Sequence, residues 1–107
     1  LSQNNLGRAY QFGLGVPQDN ASAVEWYRKS AKQGVALAQL NFGIMYAYGT
    51  GVERDPIQAY AWVDLAARTE NQHAPGWRDR LASQLDAITL AKAKAVAEKL
   101  ARNPSQD

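Results

Sequence analysis

A fixed internal period constrains this chain more than any local pattern, because units of a few tens of residues that repeat in tandem must share a core with their neighbours. Shifted by 36 residues, Gly7 falls on Gly43, Tyr10 on Tyr46, Gly13 on Gly49, Gly15 on Gly51 and Val16 on Val52. Downstream, Asp19 meets Asp55, Ala23 meets Ala59, Trp26 meets Trp62 and Ala31 meets Ala67. Upstream, Leu1, Gln3 and Asn5 meet Leu37, Gln39 and Asn41. Most of these identities fall on Gly, Ala and aromatic positions, which set backbone and packing rather than surface chemistry.

Each unit reads as two helices. Leu6 and Tyr10, and then Ala38, Phe42 and Tyr46, recur at helical spacing and give the first helix one apolar stripe. Glycine pairs stop it at Gly13-Leu14-Gly15 and Gly49-Thr50-Gly51, where a positive φ reverses the chain without a Cβ penalty. Asp19 and Asp55 restart it as N-caps. In the second copy Pro56 suits the first helical position, and Gln58 is placed to complete a capping box. The second helices carry Ala23, Trp26, Tyr27 and Ala31, or Ala59, Trp62, Val63, Ala66 and Ala67. Tyr10, Tyr46, Trp26 and Trp62, with Gly7 and Gly43, are expected to be core and close-contact positions.

The pattern changes after Glu70. Asn71 to Gly76 is rich in helix breakers, and no third glycine pair follows. An insertion of three residues places Trp77 on Ala38, Leu81 on Phe42, Ala82 on Gly43 and Leu85 on Tyr46. Asp86 caps a last helix with Leu90, Ala93, Ala97 and Leu100 on one side and Lys92, Lys99 and Arg102 on the other. The expected architecture is all-α: an α/α superhelix of antiparallel helix pairs, with repeats over 1–35 and 36–71, an atypical capping pair over 72–102 and a frayed polar tail over 103–107.

Composition narrows the function classes. At 46% hydrophobic and 21% charged residues the chain is an ordinary folding sequence, and a net charge of +2 names no partner. Without cysteine it has no disulfide, thiolate zinc site, iron–sulfur cluster or thiol nucleophile, and its redox compartment stays open. No apolar run approaches the ~20 residues of a membrane helix, so direct membrane insertion is not expected. Lys92, Lys94, Lys99 and Arg102 make the one basic stripe, but Glu98 interrupts it and no aromatic interleaves it, so nucleic acid is not an expected partner.

The string Leu6-Gly7, Tyr10, Gly13-x-Gly15-Val16, Asp19, Ala23, Trp26-Tyr27, Ser30-Ala31, Gly34 resembles the Sel-one-like repeat (SLR) family, short-helix relatives of tetratricopeptide repeats. The second copy runs from Phe42-Gly43 to Ala66-Ala67, and the resemblance extends to about Leu100 if the cap is counted. Ser30 stands where Ala is usual, and Glu70 where a closing Gly is expected. The resemblance implies a right-handed superhelix whose first helices line a concave surface and hold protein partners. Members scaffold membrane-associated complexes in eukaryotes and signalling, envelope or host-contact systems in bacteria.

On that groove the informative positions lie off the apolar stripe, one repeat apart: Asn5 and Asn41, Arg8 and Ile44, Ala9 and Met45, Phe12 and Tyr48. Repeated exposed aromatics can stack on an extended peptide, and paired Asn side chains can bond its backbone. The plainer reading has Phe12 and Tyr48 shielding the loop glycines and the Asn residues capping local backbone. The candidate binding residues are therefore Asn5, Arg8, Phe12, Asn41, Ile44, Met45 and Tyr48.

Catalysis and cofactors find no support in the sequence. His73 is the single histidine, there is no Gly-x-Ser-x-Gly elbow, and Gln18 stands where a dinucleotide fingerprint needs its third glycine. Asp64, Asp79 and Asp86 fall on separate helices, at places where caps and surface charges are ordinary. The leading expectation is a non-enzymatic adaptor for a protein or peptide, without metal or cofactor. The alternatives are a structural spacer or C-terminal cap of a longer repeat protein, and, third, a hydrolase of cell-wall or β-lactam type. A cysteine-rich branch of the family is linked to β-lactams, and this chain lacks its framework. The compartment is open, with periplasm or export favoured over cytoplasm for a soluble chain. Because Leu1 falls within a repeat's opening helix, that helix is expected to bear an apolar outer side for further repeats upstream or for self-association.

Overall fold

The alternation of apolar stripes with glycine stops produces six helices among residues 2–104, the part of the chain described in this computed structural model. They are α1 (Gln3–Phe12), α2 (Asn20–Lys32), α3 (Ala36–Tyr48), α4 (Pro56–Arg68), α5 (Ala74–Ser83) and α6 (Ala87–Arg102), and no strand occurs among the described residues. Leu1 and the tail residues Ser105, Gln106 and Asp107 lie outside them.

The starts and stops are local chemistry. Ser2 Oγ accepts from the Asn5 N–H at 3.1 Å, Asp19 Oδ1 from Ser22 N–H at 3.3 Å, and Asp86 Oδ1 from Thr89 N–H at 2.7 Å. Asp55 Oδ1 accepts from both Ile57 and Gln58 N–H at 3.1 Å. The expected capping box does not form, because the Asp55 N–H already donates to the Tyr46 carbonyl at 3.0 Å and needs nothing from Gln58. Asp19 N–H does the same to Tyr10 at 2.8 Å, so each cap also ties its loop back to the first helix. At the stops Gly13 (φ 69°) and Gly49 (φ 67°) turn left-handed, and the next N–H, of Leu14 or Thr50, returns to the Ala9 or Met45 carbonyl. Gln18 Nε2 and Arg54 Nε, chemically unlike but one repeat apart, each donate at 3.2 Å to the equivalent carbonyls of Gln11 and Ala47.

Glycine sets how closely the helices pack. A Cβ on Gly7 would lie 2.6 Å from the Tyr27 ring, and one on Gly43 would lie 2.7 Å from Val63 Cγ2. Tyr27 and Val63 are themselves 36 residues apart, so both copies use one contact. Around it Tyr27, Phe42 and Trp62 are fully buried, with Phe42 edge-on to Trp62 at 5.1 Å between centroids. Trp26 departs from the core expectation: it is only partly buried, under the Lys29 ammonium 4.6 Å from its ring. The reason is coverage, since α4 packs against α3, α5 and α6, whereas α2 packs mainly on α1 and α3.

That coverage buries α4 on every side from Ala59 to Ala66. Asp64 within this stretch is satisfied by Arg68 Nε at 2.8 Å and by Arg78 Nη1 at 3.3 Å, which fastens α5 to α4. Arg68 also bonds Glu98 of α6. The last two helices therefore differ from a third hairpin: α5 and α6 each dock mainly on α4 and make few contacts with each other. Leu81 joins Leu40, Ala59 and Val63, while Ala93, Ala97 and Leu100 close over Phe42 and Trp62. The stack measures 42 × 24 × 23 Å.

The outer side of α1 is not apolar as expected. Asn5 and Arg8 occupy its exposed positions, and Phe12 alone is large, apolar and exposed there.

Candidate functional site

The first helices of successive units lie side by side. Asn41 Nδ2 of α3 donates to Asn4 Oδ1 of α1 at 3.3 Å, and Tyr48 of α3 meets Trp77 of α5 edge-on at 6.3 Å between centroids. Leu40, Ile44 and Ala47 of α3 share a cluster with Ala74, Trp77 and Leu81 of α5.

The residues expected on this face are placed unequally. Phe12 and Tyr48 are 60% and 63% exposed, each in the last turn of its helix beside the left-handed glycine. Asn5 and Arg8 are exposed, and Ile44 is partly buried against α5. Asn41 is partly buried, and its amide is already engaged by Asn4; the two Asn side chains one repeat apart, Asn5 and Asn41, thus have different surroundings. Met45 is a correction: at 2% exposure it belongs to the core with Phe42 and Trp62, because a residue one step from Ile44 points a hundred degrees around the helix.

Two residues that the sequence reading did not place on this face complete it. Trp77, aligned with the buried Ala38, is only partly buried and stands edge-on to Tyr48, and the Arg80 guanidinium sits 5.1 Å over its ring. With His73 and Gly76 they line a shallow cavity of about 330 Å³. The signal that could have marked them is the Trp-x-x-Arg spacing, which puts a ring and a cation one turn apart on one helix face. What the face offers chemically is ring surface and cations. His73 is exposed, and among the described residues no three His, Cys, Asp or Glu side chains are grouped to hold a metal ion.

Comparison with known proteins agrees with this architecture. The Sel1 repeat matches residues 1–35 and 36–68. The crystal structure of c5321, a protective antigen present in uropathogenic Escherichia coli strains and displaying an SLR fold, superposes with a TM-score of 0.92 at 38% identity, over 94% of this chain and 22% of that one. A Sel1 repeat protein from Oxalobacter formigenes superposes with a TM-score of 0.71 at 46% identity, over 74% of this chain and 23% of that one. The chain thus spans about a fifth of the length of either protein. A comparison with curated proteins gave no match. With two repeats matched over residues 1–35 and 36–68 and the helical stack shared, the chain belongs to the Sel1 repeat family.

Proposed function

We propose that the chain is a non-enzymatic binding module that holds a protein or peptide against the face formed by α1, α3 and α5. Sel1 repeats commonly serve as scaffolds for protein–protein interaction. The observation that carries the reading is the pair of exposed rings at one repeat position, Phe12 at 60% and Tyr48 at 63%, extended by Trp77. Solvated aromatics in register along a stack are the kind of anchor that interfaces bury, since large rings supply contact area at low entropic cost. Asn5 and Arg8 beside Phe12, and Ile44 with Arg80 beside Tyr48 and Trp77, supply the polar and apolar surroundings.

The test is an affinity capture from cells of the source organism with the wild-type chain and with a Phe12→Ala, Tyr48→Ala variant, read by quantitative mass spectrometry. Partners enriched by the wild type are expected to be lost from the variant while its helical circular dichroism is unchanged. Retention of every partner removes the groove assignment, and a second capture with Asn5→Ala plus Asn41→Ala then decides whether the amides matter without the rings.

A further inference from the structure

A larger cavity lies elsewhere. A cleft of about 650 Å³ opens between α2, the start of α4 and α6, on the side of the second helices. Arg28, Lys32 and Lys99 bring three cations to it, while Val96 and Leu100 form an apolar wall. Among the described residues Asp55 is the one carboxylate in the lining, and its Oδ1 is taken up as the N-cap of α4 by the Ile57 and Gln58 N–H groups, so the lining carries three cations against one anion. Arg28 reaches Glu25 through an exposed pair at 2.8 Å, in which Glu25 is 57% exposed and solvent weakens its hold. The volume falls within the roughly 300–1,000 Å³ of ligand-binding clefts.

A cleft with cations from two helices and an aliphatic wall fits a chain in which carboxylates alternate with apolar side chains. We propose that it is a second binding site, which takes an acidic segment of a partner protein, with apolar side chains against Val96 and Leu100 and carboxylates against Arg28 and Lys99. The site stands apart from the aromatic face and does not depend on the reading given to that face.

The test is a titration of the 15N-labelled 107-residue chain with an end-blocked hexapeptide of alternating Leu and Glu, and with its Leu and Lys counterpart. Amide shifts are expected at Arg28, Lys99, Leu100 and their neighbours with the acidic peptide only, and they should weaken as salt is added. Arg28→Glu with Lys99→Glu should weaken binding by about tenfold or more, while Arg8→Glu on the other face leaves it unchanged. If the double variant loses its helical signal, Lys99→Gln at an exposed position is measured in its place and should weaken binding severalfold. The proposal is overturned if the peptide shifts centre on Phe12 and Tyr48, if the basic peptide binds equally well, or if neither binds at millimolar concentration. It is overturned as well if phosphatidylglycerol vesicles, and not the peptide, bind in a manner that needs Arg28 and Lys99.

Discussion

Glu70 holds the same left-handed backbone as Gly34, its counterpart one repeat earlier, with φ of 67° against 91°. The surrounding hydrogen bonds match too: Gly34 N–H donates to Ala31 and Glu70 N–H to Ala67, while Val35 and Asn71 N–H return to Ser30 and Ala66. Among the described residues Glu70 is the single non-glycine with positive φ, so the repeat geometry imposes a conformation that the side chain opposes.

Glu70→Gly therefore removes a steric penalty of about 1 kcal/mol, partly offset by the freer unfolded chain. The variant is expected to melt about 2–3 °C above the wild type, measured by circular dichroism. An unchanged or lower melting temperature would show that Glu70 makes a compensating contact.

Gly43 is constrained by space instead. An added Cβ would meet Val63 Cγ2 at 2.7 Å, the Ala59 carbonyl oxygen at 3.0 Å and the Val63 N at 3.1 Å, and two of these three atoms are backbone. Gly43→Ala should push α3 from α4 and cost about 2–3 kcal/mol. Gly15→Ala, at φ 82° with nothing within 4 Å, should cost only the conformational penalty of about 1 kcal/mol. Urea midpoints in the order wild type, Gly15→Ala, Gly43→Ala check both terms, and the reverse order of the variants would contradict the packing account.

The repeat made much of this legible from residues alone. Gly13 and Gly49 stop helices where the glycine pairs stand, Asp19, Asp55 and Asp86 cap the helices whose apolar stripes they precede, and Gly7 and Gly43 sit in matching contacts. What local pattern does not carry is which helix covers which. Trp26 and Trp62 are identical in the repeat but differ in burial, because α6 and α5 dock on α4 whereas α2 is packed mainly by α1 and α3. Likewise Met45 reads as a groove position until Phe42 and Trp62 are seen to enclose it, and the bond between Asn4 and Asn41 crosses repeats one residue out of register. Such contacts depend on the angle at which hairpins stack, which no spacing within one hairpin encodes.

The Tyr27 phenol predicts behaviour in alkali. Burial pushes its pKa up to about 12, against a smaller opposing pull from Arg8, and its hydroxyl donates to Gln11 Oε1 at 2.7 Å. Its ordinary value is 10, so ionisation favours the unfolded chain between the two. The stability carried by the neutral phenol is whole below pH 10 and drains away as pH rises toward 12, by about 2 kcal/mol at the end of that window. Phenolate absorbance should show a late component from Tyr27, with Tyr60 whose pKa burial also raises, ionising above pH 10 and together with loss of helix. Ionisation of all five tyrosines in one step near pH 10, with the helices intact, would refute it.

At the acid end the charges act in the opposite sense. Hydrogen bonds from the Ser22 hydroxyl and N–H hold the Asp19 carboxyl below its usual 3.8, the Thr89 N–H and hydroxyl do so for Asp86, and the Arg68 guanidinium holds Glu98 below 4.5. A carboxylate depressed in the folded state stabilises it above the ordinary value and loses that contribution as pH falls through the lower, folded one. Urea midpoints should therefore be flat down to about pH 5 and decline below about pH 4. Asp86→Asn isolates one contribution, because asparagine still caps α6 through its side-chain oxygen but cannot be protonated in this range. The variant should lie slightly below the wild type near neutrality and lose less between pH 5 and pH 3, since the proton that weakens the wild-type cap has nowhere to go. Glu98→Gln should shallow the same limb and also make it less sensitive to salt, for Glu98 and Arg68 pair at the solvent edge of α4 and α6 where ions screen them. Parallel acid limbs in all three proteins would mean that the decline comes from charge repulsion across the whole molecule and not from these caps and this pair.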